Sequence, residues 1–169
     1  MVKRLITLLS LLLILSACSQ TSLNDEVKGM VYESVKKGDF KLEIDSSKKT
    51  YKEVEPIDIK ASLIYIGDKK EVTITHANPP MLFSVQHTDG ELILENMIAF
   101  VEMSNELKKG EPLVQKISNL VPSNGFAIDE EVTDDVTLPK GEYHITVKAE
   151  FTYNNQDFEI PLTIQINVE

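Results

Sequence analysis

Two segments near the C-terminus alternate without a break. Tyr143, Ile145, Val147, Ala149 and Phe151 are apolar or aromatic, and His144, Thr146, Lys148, Glu150 and Thr152 stand between them. Phe158, Ile160, Leu162, Ile164, Ile166 and Val168 then alternate with Glu159, Pro161, Thr163, Gln165 and Asn167. Period two puts every second side chain on one face, so each segment is a strand with one buried side. Asn154-Asn155 supplies the turn between them. Pro161 has no N–H for a ladder, which places the last strand at an edge or a bulge.

The same reading extends upstream. Phe40, Leu42 and Ile44 alternate with Lys41 and Glu43, and Ile57, Ile59, Ala61, Leu63 and Tyr65 make another one-faced strand. Gly67-Asp68-Lys69-Lys70 turns the chain into Val72 and Ile74, and Asn78-Pro79-Pro80 breaks it. Met81, Phe83 and Val85 run into Asp89-Gly90, a hairpin signal. Leu92 to Met103 follows, apolar on both faces around Met97 to Val101. Leu113, Val114, Ile117, Leu120 and Val121 fit helical spacing between Pro112 and Pro122, with a strand as the alternative because the neighbours are strands. Many short strands with turns between them indicate an all-β sandwich spanning residues 40–169.

Composition narrows the class. The chain has 169 residues, is 42% hydrophobic and 26% charged, and has a net charge of −10. These values exclude a disordered chain and an integral membrane bundle. The acidic balance excludes a nucleic-acid partner, whose phosphates it repels. A single Cys excludes an internal disulfide. About 130 residues hide roughly two thirds of the unfolded surface, so burial alone is enough to hold such a sandwich.

That Cys has a telling position. Lys3 and Arg4 precede an apolar run from Leu5 to Leu15, which is too short to span a bilayer. Leu15-Ser16-Ala17-Cys18 follows and resembles the lipobox of bacterial lipoproteins. The resemblance implies a signal peptide over 1–17, cleavage between Ala17 and Cys18, and a diacylglyceryl group on the Cys18 sulfur. Two acyl chains hold a protein stably at a membrane. Removing 17 residues leaves 152, with 15 basic against 27 acidic side chains, or −12. Residues 18–39 read as a polar tether. Within it, Asn24 is a possible cap for a short helix over Val27, Met30, Val31 and Val35, with an extended lead-in as the alternative.

Leu138-Pro139-Lys140-Gly141-Glu142-Tyr143 opens the penultimate strand and resembles the tyrosine corner of immunoglobulin-like domains, in which the hydroxyl bonds upstream backbone. With Tyr51-Lys52, Glu55-Pro56-Ile57, Asp89-Gly90 and Lys109-Gly110-Glu111, the order resembles small extracytoplasmic immunoglobulin-like lipoproteins of Gram-positive bacteria. It is also weakly similar to the intracellular proteinase inhibitor family of those organisms. An export signal and the absence of Trp depart from that inhibitor, so the resemblance carries an immunoglobulin-like fold and not inhibitory activity.

Chemistry-bearing residues are sparse. Cys18 serves the anchor, and no G-x-S-x-G or phosphate-binding loop occurs. His76, His87 and His144 read as strand-surface imidazoles, and a catalytic function is not expected. His76, Met81, His87, Met97 and Met103 share one stretch, and imidazole with thioether is a copper ligand set. A copper-binding lipoprotein using His76, Met81 and His87 is therefore the alternative to a binding or adaptor module. The Met residues read more simply as core. Asp129-Glu130-Glu131 and Asp134-Asp135 lack the glycine and spacing of an EF-hand loop. No metal and no cofactor beyond the covalent lipid is expected, and the expected partners are the membrane, through the anchor, and a protein or envelope component.

A body of charge −12 gains nothing from anionic headgroups and is expected to stand off the surface. Unlipidated protein should therefore fail to co-sediment with anionic vesicles. Tight vesicle binding would show that the body itself lies on the membrane.

Overall fold

The computed structural model describes residues 29–90, 93–122 and 135–169. Among them every regular element is a strand, and the strands form two sheets packed as a sandwich. The first sheet holds β1 (Val31–Lys37), β2 (Phe40–Ser46), β4 (Ile59–Tyr65) and β9 (Pro112–Lys116) in the order β1-β2-β4-β9. The second runs β10 (Leu120–Pro122), β7 (Ile93–Asn96), β6 (Met81–His87), β11 (Gly141–Tyr153), β12 (Gln156–Val168) and β3 (Thr50–Tyr51). Two further strands, β5 (Glu71–Asn78) and β8 (Ala99–Lys108), pair with each other, and β5 touches β11 at Thr152.

The alternating C-terminal segments form the longest ladder, from Gly141 opposite Val168 to Tyr153 opposite Gln156. Asn154 and Asn155 close it in two residues with φ of 51° and 61°. Positive φ at both positions matches the right-handed twist of the strands, and Asn tolerates it. Among the described residues, β12 pairs beyond its ladder with β11 only at Asn167 and Val168, with β3. Pro161 thus sits on an edge, as its missing N–H requires.

The chain from β4 to β9 is one long ribbon that changes sheets. β4 pairs β9 in the first sheet, β5 then pairs β8, and β6 pairs β7 in the second. Strands that bend from one sheet to the other make the corners of a sandwich.

The inner faces meet in an aromatic cluster. The Phe40 ring lies 4.7 to 5.5 Å from the rings of Tyr65, Phe151, Tyr153 and Phe158. Phe40 and Tyr65 come from the first sheet and the other three from β11 and β12, so this contact joins the layers. Tilted and edge-on rings at this spacing add to the area they bury.

The N-terminal expectation changes. Residues 31–37 are strand, the extended alternative and not the helix, and β1 joins the first sheet ahead of Phe40; Asn24 and Val27 lie outside the described residues. Val31 and Val35 are the half-buried residues of β1, and their spacing of four mimics a helix face. The backbone pairs with β2 at all seven positions instead, and Gly38, at φ +58°, turns the chain between them. The ambiguous 112–121 segment is two strands and no helix: Pro112–Lys116 pairs with β4 in the first sheet, 117–119 cross over, and the chain from Leu120 pairs with β7 in the second. The tyrosine corner is present: Tyr143 Oη donates to the Pro139 carbonyl at 2.8 Å. Burial, with the nearby Asp89 charge, holds the Tyr143 phenol above its ordinary pKa.

Replacing Phe40 by Ala should cost about 3–5 kcal/mol, the range for a fully buried aromatic. Denaturant unfolding measures this, and a cost below about 1 kcal/mol would show that the ring does not join the layers.

Candidate functional site

The feature that departs most from a simple sandwich is a break in the long ribbon. Pro79 and Pro80 cannot donate hydrogen bonds, so the ladder cannot run through them. Between His76 opposite Met103 and Asn78 opposite Ala99 the register shifts. One residue of β5, Ala77, faces Phe100, Val101 and Glu102 of β8. Such a bulge bends the strand and re-aims its side chains.

Side-chain amides hold the break. The Phe83 N–H donates to Asn96 Oδ1 at 2.7 Å, and Asn96 Nδ2 donates to the Ser118 carbonyl at 2.7 Å. Gln115 Nε2 donates to the Met81 carbonyl at 2.6 Å, and the Glu150 N–H reaches the Pro80 carbonyl at 3.2 Å. Backbone groups freed by the prolines are thus partnered, which makes the break a built feature.

Its consequence is an apolar segment in solvent. Phe100 is 93% exposed, Met97 67% and Val101 58%, and Ile98 and Met103 are exposed too. Scattered exposed hydrophobes are ordinary, but a contiguous run of large ones marks a contact surface. A groove of about 590 Å³ runs beside it, and Phe100, Val101, Phe151 and Phe158 are among the residues that line it. A second, of about 620 Å³, lies between Met97-Ile98 and Pro79-Pro80. Sequence reading registered this run as apolar on both faces but did not place it outside. No signal in the residues themselves marks it as exposed, because the break beside it exists only once β5 and β8 are paired.

The copper candidates are not gathered. Met81 and His87 lie six residues apart on β6, roughly 20 Å of extended chain. Met81 is fully buried in the core. His76 faces Met103 across the ladder, but its Nδ1 lies 2.5 Å from the Ala77 carbonyl and its Nε2 2.5 Å from Asn105 Oδ1. Both ring nitrogens are engaged. These partners also explain why His76 is buried and not at the surface as the sequence suggested. Among the described residues no three His, Cys, Asp or Glu side chains come together as a metal site. Of the acidic run, 129–131 and Asp134 lie outside the described residues.

His87 has a different setting. Its Nδ1 contacts the Asp89 carboxylate, and its ring packs edge-on against Tyr143, centroids 4.9 Å apart. A Cβ at Gly141 would lie 2.1 Å from His87 Nε2, so the second nitrogen is turned onto backbone. This pair closes the tyrosine corner and does not face the grooves above. His144 is exposed on β11. Cys18 and the Ala17–Cys18 junction lie outside the described residues. Compared with models of known families and with curated proteins, the chain matches none.

With its candidate ligands separated, the protein should show no rise in Tm when copper is added. A saturable rise lost in His76→Ala would show that the ligands gather after all.

Proposed function

We propose that the chain is a non-catalytic binding or adaptor module, a lipoprotein held at the outer face of the cell membrane by a diacylglyceryl group on Cys18. No catalytic role and no cofactor beyond that lipid is assigned. The observation that carries this reading is the exposed segment from Met97 to Met103, held out by a bulge between His76 and Asn78. Keeping Phe100 in water forgoes roughly 2 kcal/mol of burial, a cost that a contact surface recovers on binding.

The placement of the segment fits an anchored protein. The described chain enters β1 at Val31, and Lys37 at the other end of β1 lines the groove beside Phe100. Six residues of extended strand put these ends roughly 20 Å apart. A tether attached at Cys18 thus reaches the sandwich away from the apolar segment, which is left for a protein or envelope partner. The lipobox and the strand order support membership among the extracytoplasmic immunoglobulin-like lipoproteins of Gram-positive bacteria.

Crosslinking at the native membrane, followed by mass spectrometry, tests this reading. Wild-type protein should capture a defined partner that Phe100→Asp loses, with Tm unchanged because the side chain is exposed. Cys18→Ala should release the protein from the membrane fraction. Identical capture by wild type and Phe100→Asp would remove the segment as the contact surface.

A further inference from the structure

The groove beside Phe100 has a charge as well as an apolar wall. Phe100 and Val101 form that wall and are exposed, whereas the Phe151 and Phe158 rings that also line it are packed on Phe40 in the core. Its lining holds four acidic residues, Glu102, Glu150, Asp157 and Glu159, against one cation, Lys37, with Lys148 beside Glu150 and Glu159. Lys37 Nζ donates to the main-chain oxygen of Glu159 at 2.8 Å and not to its carboxylate, which lies within electrostatic reach of Lys148. Glu150 is paired with Lys148 at 2.5 Å, and Asp157 accepts the Thr152 hydroxyl at 2.7 Å. Glu102, Asp157 and Glu159 form no salt bridge among the described residues.

We propose that this groove binds a basic, extended peptide segment of a partner protein, with an apolar side chain against Phe100 and Val101 and flanking Lys or Arg against the carboxylates. The inference rests on the binding-module reading and adds the chemistry of the partner. An exposed apolar wall with an acidic rim is complementary to a cationic amphipathic segment. A second copy of this chain would set the same acidic rim against itself, and an anionic bilayer would be repelled by it. The bulge suits an extended ligand. Phe100, Val101 and Glu102 have no ladder partner in β5, and all three line the groove, so main chain as well as side chains border it.

Fluorescence anisotropy on the full chain tests this with three labelled seven-residue peptides, in which Val and Phe alternate with Lys, Thr or Glu. The Lys peptide should bind saturably and the Glu peptide should not. Glu102→Gln with Glu159→Gln should weaken the Lys peptide at least about threefold, as should a rise from 50 to about 300 mM salt. Phe100→Asp should weaken it at least about tenfold, and Val101→Ser is the second variant if that protein does not fold. Equal binding of the Lys and Thr peptides, unchanged by the Gln pair, overturns the basic partner and leaves the binding module standing. Binding of no peptide, together with capture indifferent to Phe100→Asp, overturns both. A dimer in sedimentation that Phe100→Asp abolishes gives the surface to a second copy and overturns the basic peptide.

Discussion

The ladder between β11 and β12 is the constraint on which the other contacts depend. Its register puts Tyr143, Ile145, Val147, Ala149, Phe151 and Tyr153 on the inner face together. A slip of one residue would turn all of them to solvent, so burial of that face and the two-residue Asn turn fix the same pairing. β6 then docks on β11 from Tyr143 to Ala149, and β5 touches the same edge at Thr152. The rings of Phe151, Tyr153 and Phe158 are positioned to receive Phe40 from the other sheet. The tyrosine corner closes the far end through Pro139.

The site grows from a mismatch between that spine and the ribbon packed on it. β5 and β6 lie along one edge of β11, but Pro79 and Pro80 cannot continue the ladder between them. The paired strand answers with a bulge, and Asn96 and Gln115 take up the backbone groups left over. Phe100 and Val101 project because their strand carries extra residues there. Stability and exposure are separated in this way: the core below the break keeps Met81 and Phe83 buried, while the segment above it stays open. The acidic rim comes from polar positions of β11 and β12 that the ladder turns outward, Glu150, Asp157 and Glu159. One hairpin therefore both holds the sandwich together and supplies charge to the groove.

Much of the fold was legible in the residues. Alternation placed β2, β4, β5, β6, β11 and β12, and Asn154-Asn155, Asp89-Gly90 and Leu138 to Tyr143 placed turns and the corner. β1 was less legible because only Val31 and Val35 are partly buried, and two residues four apart do not reveal a strand. His76 looked like a surface residue because its partner Asn105 lies on another strand. The metal candidates looked close in sequence because a strand carries six residues over a distance no single ion spans.

Sequence by itself determined an all-β chain, since an unbroken period of two on both arms of a hairpin has one physical meaning. It also placed the lone thiol directly after an apolar leader, which is where the expectation of a lipid anchor comes from. Tertiary structure alone decided that Phe100 and its neighbours stand in water beside four carboxylates. Periodicity reports on which side of a strand a residue lies. Whether anything covers that side depends on a bulge set by two prolines about twenty residues away, and on strands that meet only in the folded sandwich.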